Sequence, residues 1–340
     1  MVDYSINEIR KWPKVELHLH FDLCLSFPAI KQLVPGIDEE SYNRNFVLPE
    51  KISGLTEFLE RSTRLVALLQ DETALQLAVA DLFRQLAAEN VIYAEIRFAP
   101  LLHTQKELTP EAVIRCIYNA CKEESEKTNV SFALILCTLR HFDREKSMQS
   151  VSLAQEFFNS GINGFDIASE ERMPLSPHVD AFDLAHVSGI PCTAHCGESG
   201  GPESISEVLH LLKPKRIGHG TRCVEDPHLV SYLITHQIHL EMCPTCNVQL
   251  DVVPDFTRHP IDQLYRAGAN VGINTDNRTM TGINLSEEYV KIRQTFGWEI
   301  GDFYRVNSLS LNSAFVSEEE KLRLGAILDA GYRNVGWDGI

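Results

Sequence analysis

Short apolar runs rich in β-forming residues alternate with segments of helical periodicity along almost the whole chain. The runs are Val15–His20, Val91–Phe98, Ser131–Leu139, Asn163–Ala168, Pro191–His195, Arg216–His219, His239–Cys243 and Asn270–Thr275. Between them apolar residues recur at three- and four-residue spacing. Ala74–Leu86, Pro110–Ile117, Ser152–Phe158, Ala181–Val187, Ile205–Leu212, Leu229–Thr235 and Asp262–Ala267 read as amphipathic helices on this ground. Several of the strands are near-continuously hydrophobic, as expected of parallel strands covered on both faces. Eight such alternations predict an α/β fold of the (β/α)8 TIM-barrel type. A doubly wound open sheet would need a glycine-rich first turn to bind a nucleotide. Here the first strand runs into His18-Leu19-His20-Phe21-Asp22, with no glycine. The segment Phe27–Leu69 is long for one loop and is expected to add helices over one end of the barrel. The chain from Gly301 onward reads as further helices. No repeat, low-complexity tract or Pro/Gly/Ser-rich linker divides the sequence, so one domain is expected over residues 1–340.

Composition narrows the partners. With 31 Lys and Arg against 47 Asp and Glu, the formal charge is −16. That is the wrong sign for wrapping nucleic acid or adhering to an acidic membrane, so neither partner is expected. The 44% hydrophobic content is too high for a disordered chain. The longest apolar run, near Val130–Leu139, is half the ~20 residues a membrane span requires. Met1-Val2-Asp3-Tyr4 leads into mixed polar residues with no basic, then apolar, leader pattern. The nine cysteines are odd in number and scattered, and they read mostly as reduced, buried thiols. A cytoplasmic location is expected on these grounds.

In a barrel of this kind functional groups gather at the C-terminal strand ends and in the loops that follow. The first strand ends on His18 and His20, which share one face of the strand. Alone, this pair is a weak signal, more often two partly buried, hydrogen-bonded histidines than half of a metal site. The fifth strand ends His195-Cys196-Gly197-Glu198, the sixth Gly218-His219-Gly220, and the eighth Asn274-Thr275-Asp276-Asn277. Each could singly be a cap or a core residue. Together they bring His18, His20, His195, His219, Glu198 and Asp276 to one rim. Three histidines and an aspartate, with a nearby Glu and a spare His, are the parts of a metal-assisted hydrolase. They offer metal ligands, a carboxyl group for proton transfer, and a base or orienting group beside water.

The order and spacing of these segments resemble the adenosine deaminase family of metal-dependent aminohydrolases. The resemblance rests on Pro13-Lys14-Val15-Glu16-Leu17-His18-Leu19-His20-Phe21-Asp22, Thr193-Ala194-His195-Cys196-Gly197-Glu198, Arg216-Ile217-Gly218-His219-Gly220 and Asn274-Thr275-Asp276. Glu95-Ile96-Arg97-Phe98-Ala99-Pro100 and Glu241-Met242-Cys243-Pro244 are similar to the family's second- and seventh-strand segments. The resemblance implies a barrel holding one Zn2+ through His18, His20, His195 and Asp276. It further implies that Glu198 protonates purine N1, and that His219 orients or deprotonates the zinc-bound water that attacks C6. Asp276 would hydrogen-bond the same water. The implied substrate is a purine nucleoside, adenosine and with it 2′-deoxyadenosine, converted to the inosine product and ammonia. Asp22 would contact the ribose 5′-hydroxyl, the Ser169 backbone N–H purine N3, and Asn277 N7. A single metal is expected because Phe165-Asp166-Ile167-Ala168-Ser169 lacks the bridging Lys of two-metal relatives.

Three positions depart from the family pattern. Leu23-Cys24 follows Asp22 where Gly is usual, Ser169 stands in place of Gly, and Asn277 replaces an Asp. A serine can still donate its N–H unless the turn demands positive φ, and an amide can donate to N7 without being protonated. The departures leave the metal chemistry intact and open two other readings. One is an aminohydrolase for free adenine or an N6-substituted adenine. The other is a silent purine-binding barrel, against which the complete set of six catalytic-type residues argues.

His239-Leu240-Glu241 ahead of Cys243-Pro244-Thr245-Cys246 mimics the HxE…CxxC signature of cytidine-type zinc deaminases. Glu241 and Cys243 fall in one predicted strand, too close to reproduce that geometry, so the thiols read as structural. His141, His178, His186, His210, His236 and His259 read as surface or capping groups.

Overall fold

The computed structural model describes residues 4–52 and 55–339. Met1, Val2, Asp3, Ser53, Gly54 and Ile340 lie outside the described residues. The strands are β1 (Lys14–His20), β2 (Val91–Phe98), β3 (Ser131–Leu139), β4 (Gly164–Ala168), β5 (Thr193–Cys196), β6 (Arg216–His219), β7 (His239–Met242) and β8 (Val271–Ile273). Neighbours in sequence pair in parallel from β1 to β4 and again from β5 to β8. Two bridges join these halves. Phe165 of β4 pairs with Cys192 just before β5, and Leu19 of β1 pairs with Asp276 just after β8. At the second seam His20 N–H donates to Asp276 O at 2.8 Å and Asp276 N–H to His18 O at 3.1 Å. The barrel closes through the very residues singled out as site candidates.

Helices occupy the connections. Glu72–Ala88 starts where the Asp71 carboxylate accepts the Ala74 N–H, and Pro110–Thr128 starts with Pro110 behind a Thr109 cap. Such caps satisfy amides that the first helical turn leaves without partners. The long segment after β1 folds into Phe27–Leu33, Glu39–Phe46 and Leu55–Leu68. The C-terminal region forms Ile300–Ser313 and Glu318–Asn334. The first of these is tied to β1, whose Val15 N–H donates to Asn307 Oδ1 at 2.7 Å. The carboxyl end of the seventh strand differs from expectation. β7 stops at Met242, and Cys243 opens the short helix Pro244–Gln249 instead of extending the strand. Proline at the next position removes the N–H that strand pairing would need.

Side chains alternate across each strand. One set, including Val15, Leu17, Leu19, Ile96, Leu134, Phe165, Ala194, Ile217, Leu240 and Val271, packs against the helices in a large apolar cluster. The other set fills the barrel with charge. Glu16, His18, Glu95, Arg97, Asp166, Thr193, Arg216 and Glu241 are all buried. Gly218 gives the His18 ring room, since a Cβ there would stand 3.0 Å from that ring and 3.3 Å from His195 and would press both aside. No described helix is long and apolar enough to cross a membrane.

Candidate active site

The interior charges build a platform at the C-terminal mouth. Glu241 accepts from Arg97 Nη2 and Arg216 Nε, both at 2.7 Å, from Thr193 Oγ1 at 2.9 Å, and from His18 Nδ1 at 2.8 Å. Arg97 Nη1 donates to Asp166 Oδ2 at 2.7 Å, and Asp166 in turn stands 3.1 Å from His195 Nδ1. Each imidazole is thereby held at Nδ1 by a carboxylate that is itself fixed by arginine. This is the arrangement that orients histidines for a metal through the opposite nitrogen. The segments around Glu95 and Glu241 were legible in the sequence as strands; their pairing across the barrel was not.

At the mouth, ligand atoms of His18, His20, His195 and Asp276 lie within 4.8 Å of one another. His20 Nε2 and His195 Nε2 face each other at 3.1 Å. Asp276 Oδ1 is 3.3 Å from His18 Nε2 and 3.4 Å from His20 Nε2. His18 Nε2 is buried with no hydrogen-bond partner among the described residues. An orphaned buried nitrogen is costly, and a cation at this spot would satisfy it. Burial pushes His18 down to about 3 and His20 to about 4, which keeps both rings neutral and able to ligate. Despite its own burial, Asp276 is held well below the usual carboxylate range by His18, His20 and His219. The donor set suits a divalent ion of zinc type.

Glu198 and His219 stand beside this cluster, with Glu198 Oε1 3.6 Å from His219 Nδ1. Burial, reinforced by the Asp276 and Glu171 carboxylates, pushes the Glu198 carboxyl up to about 8. Its 23% exposure opens into the cavity above. The turn that carries it is held by Glu171, whose carboxylate accepts from the N–H groups of Gly197 (2.5 Å), Glu198 (3.0 Å) and Gly200 (2.8 Å). Ser204 Oγ donates to it as well, at 2.6 Å. Nothing in the sequence marked Glu171, because its partners lie 26 to 33 residues away.

The cavity encloses about 280 Å³ and is lined by His20, Asp22, Ser169, His195, Glu198, His219 and Asp276. Phe58, Leu59, Ser62, Thr63 and Val66 of the Leu55–Leu68 helix cover it. No Lys or Arg is among its lining residues. Asp22 lies in the turn Phe21–Leu23, with His103 Nε2 3.5 Å from its Oδ2. Ser169 does adopt positive φ, at 82°, and its Oγ meets His141 Nδ1 at 3.3 Å.

Two expectations need correction. Asn277 is buried and does not line the cavity; its amide donates to Asp276 Oδ2 at 2.7 Å and Cys246 Sγ at 3.4 Å. With both hydrogens so committed, it supports the aspartate and does not face the cavity. His178 and His259 are buried inside the molecule, bonded to Ser147 Oγ and Asn247 Oδ1, and His141 lines the cavity. Cys243 and Cys246 do open a helix, but burial pushes both thiols well above their ordinary range. That agrees with a structural role.

Fold and site together define a hydrolase barrel with a candidate metal centre at its mouth. The family model described as adenosine deaminase matches residues 13–330. The adenosine deaminase of Clostridium acetobutylicum is 32% identical over 331 residues, covering 95% of this chain and 99% of that protein. Among solved structures, an adenine deaminase from Arthrobacter aurescens superposes with a TM-score of 0.86 at 26% identity, covering 95% of this chain and 98% of that one. An amidohydrolase from Burkholderia ambifaria with bound Zn gives 0.88 at 22% identity, covering 98% and 95%. The chain belongs to the adenosine deaminase family. It is a hydrolytic deaminase of purines.

Proposed function

We propose that the chain catalyses the zinc-dependent hydrolysis of adenosine and 2′-deoxyadenosine to the inosine product and ammonia. The observation that carries this reading is a carboxyl raised to about 8, Glu198, beside the His18/His20/His195/Asp276 cluster at the floor of the cavity. Those four residues would hold one zinc ion, a Lewis acid that makes water nucleophilic near neutral pH by lowering its pKa to about 7. Glu198 is protonated at pH 7 and donates to N1. Protonation there gives the ring a sink for the electron density that arrives as C6 is attacked. His219, which lines the cavity beside Glu198, would orient or deprotonate the attacking water, and the ionised Asp276 would offer it an acceptor oxygen.

Asp22 in the cavity wall is the proposed contact to the ribose 5′-hydroxyl; the turn at Ser169 does have positive φ, but the serine adopts it as a glycine would, so its backbone N–H is kept as the proposed contact to N3. A cavity wall with no Lys or Arg leaves a 5′-phosphate without a cationic partner, which favours a nucleoside over a nucleotide. The likeness to an adenine deaminase supports the free base as the second reading. Formation of the hypoxanthine product from adenosine, 2′-deoxyadenosine, adenine, AMP and N6-methyl-AMP, with ammonia leaving from the first four and methylamine from the last, separates these readings on the metal-loaded enzyme. The two nucleosides are expected to give the highest kcat/KM. Turnover of adenine or of a nucleotide with none of adenosine would overturn the assignment.

A further inference from the structure

Asn247 touches both the carboxyl and the imidazole of the site, and no motif pointed to it. It sits on the helix Pro244–Gln249, fully buried. Its Nδ2 is 3.0 Å from Glu198 Oε1 and 3.2 Å from His219 Nδ1. Its Oδ1 is 2.8 Å from Thr221 Oγ1 and 3.2 Å from His259 Nε2. An amide could be turned end for end in such a setting, but one hydrogen bond further out fixes it. The Ile261 backbone N–H donates to His259 Nδ1 at 3.3 Å. A backbone amide can only donate, so Nδ1 of His259 is the acceptor nitrogen, and burial keeps the ring neutral. The single ring proton is therefore on Nε2, which must face an oxygen. Asn247 consequently turns its carbonyl to His259 and its NH2 to Glu198 and His219.

We propose that Asn247, locked by His259, is a positioning residue that sets the tautomer of His219 while steadying Glu198. Accepting at Nδ1, a neutral His219 carries its proton on Nε2. That nitrogen has no hydrogen-bond partner among the described residues, and His219 lines the cavity. The chain Ile261 N–H, His259, Asn247, His219 thus presents an N–H donor to whatever oxygen approaches the site. One amide thus contacts both the proton donor and the imidazole. The inference rests on the reading of His219 as the group that meets water, but its deciding readout, the tautomer, needs no substrate.

Long-range 1H–15N correlation spectra of histidine-labelled, zinc-loaded protein report which nitrogen of each ring is protonated; loss of a set in His219→Gln assigns it. The expected spectrum has His219 protonated at Nε2 and bare at Nδ1. Asn247→Asp places a carboxylate oxygen where the NH2 was, and should move the proton to Nδ1. It should also lower kcat for adenosine by at least about 100-fold, with KM within about threefold and one zinc retained. Should Asn247→Asp fail to load zinc, His259→Phe asks the same question, because it frees the amide to turn and should populate both tautomers. A wild-type ring protonated at Nδ1 overturns the proposal by itself. So does a tautomer that neither folded variant changes. Either result leaves the deamination reading standing, since that falls only on the substrate panel.

Discussion

The proposed role of Glu198 requires an acid at the pH where most glutamates are bases, and its surroundings favour one. Burial and the neighbouring carboxylates of Asp276 and Glu171 raise it to about 8. Glu198→Gln keeps the shape and removes the proton, so turnover should fall by about 100-fold or more while one zinc still binds. Metal analysis beside steady-state kinetics checks both halves. A raised pKa means the acid form is full below pH 8 and is lost as pH climbs through it. An alkaline fall in kcat centred near pH 8 is therefore expected, and the residual rate of Glu198→Gln should lack it. Asp166 acts one step back, through His195 Nδ1. Asp166→Asn should weaken zinc binding by about 10- to 100-fold, which a competition titration with a chelator would measure. His18, His20, His195, Glu198, His219 and Asp276 were legible in the sequence because each is a polar residue closing an apolar run. Asn247, Glu171 and His259 were not, since their partners are distant in sequence and only the folded chain brings them together.

At the scale of elements, the strands end in strain. Ser169, His219 and Asp276 follow or close β4, β6 and β8 with φ of 82°, 63° and 64°, a region side chains normally avoid. At His219 and Asp276 the strained backbone aims a functional group into the cavity. At Ser169 the hydroxyl gains only a contact with His141. Ser169→Gly is accordingly expected to stabilise the fold by about 0.5–1 kcal/mol, seen as a higher denaturant midpoint with unchanged m-value. A lower midpoint would mean that the His141 contact outweighs the strain. Strand positions were readable to within a residue or two because buried parallel strands are apolar on both faces. The end of β7 was misread because Cys243 continues the apolar run and only Pro244 stops it. Helix formation after Phe27 followed from the length of the segment, and nothing in its periodicity showed that Phe58 and Val66 would cover the cavity.

The whole molecule surrounds a charged axis with an apolar shell. Arg97 and Arg216 neutralise part of the carboxylate set beneath the site, and the cluster of His18, His20, His195 and Asp276 above them could hold one divalent ion. An ion that binds the folded chain alone adds stability by mass action, so chelation should lower the thermal midpoint, and one equivalent of zinc should restore it. The net charge of −16 lies outside this balance and needs no polymeric partner once the substrate is a small neutral heterocycle. The most direct test of the account is to follow adenosine deamination while metal-free protein is titrated with zinc. The rate should rise from near zero and level off at one equivalent per chain. Full activity without metal, a plateau only at two equivalents, or no turnover of adenosine at saturation would contradict it.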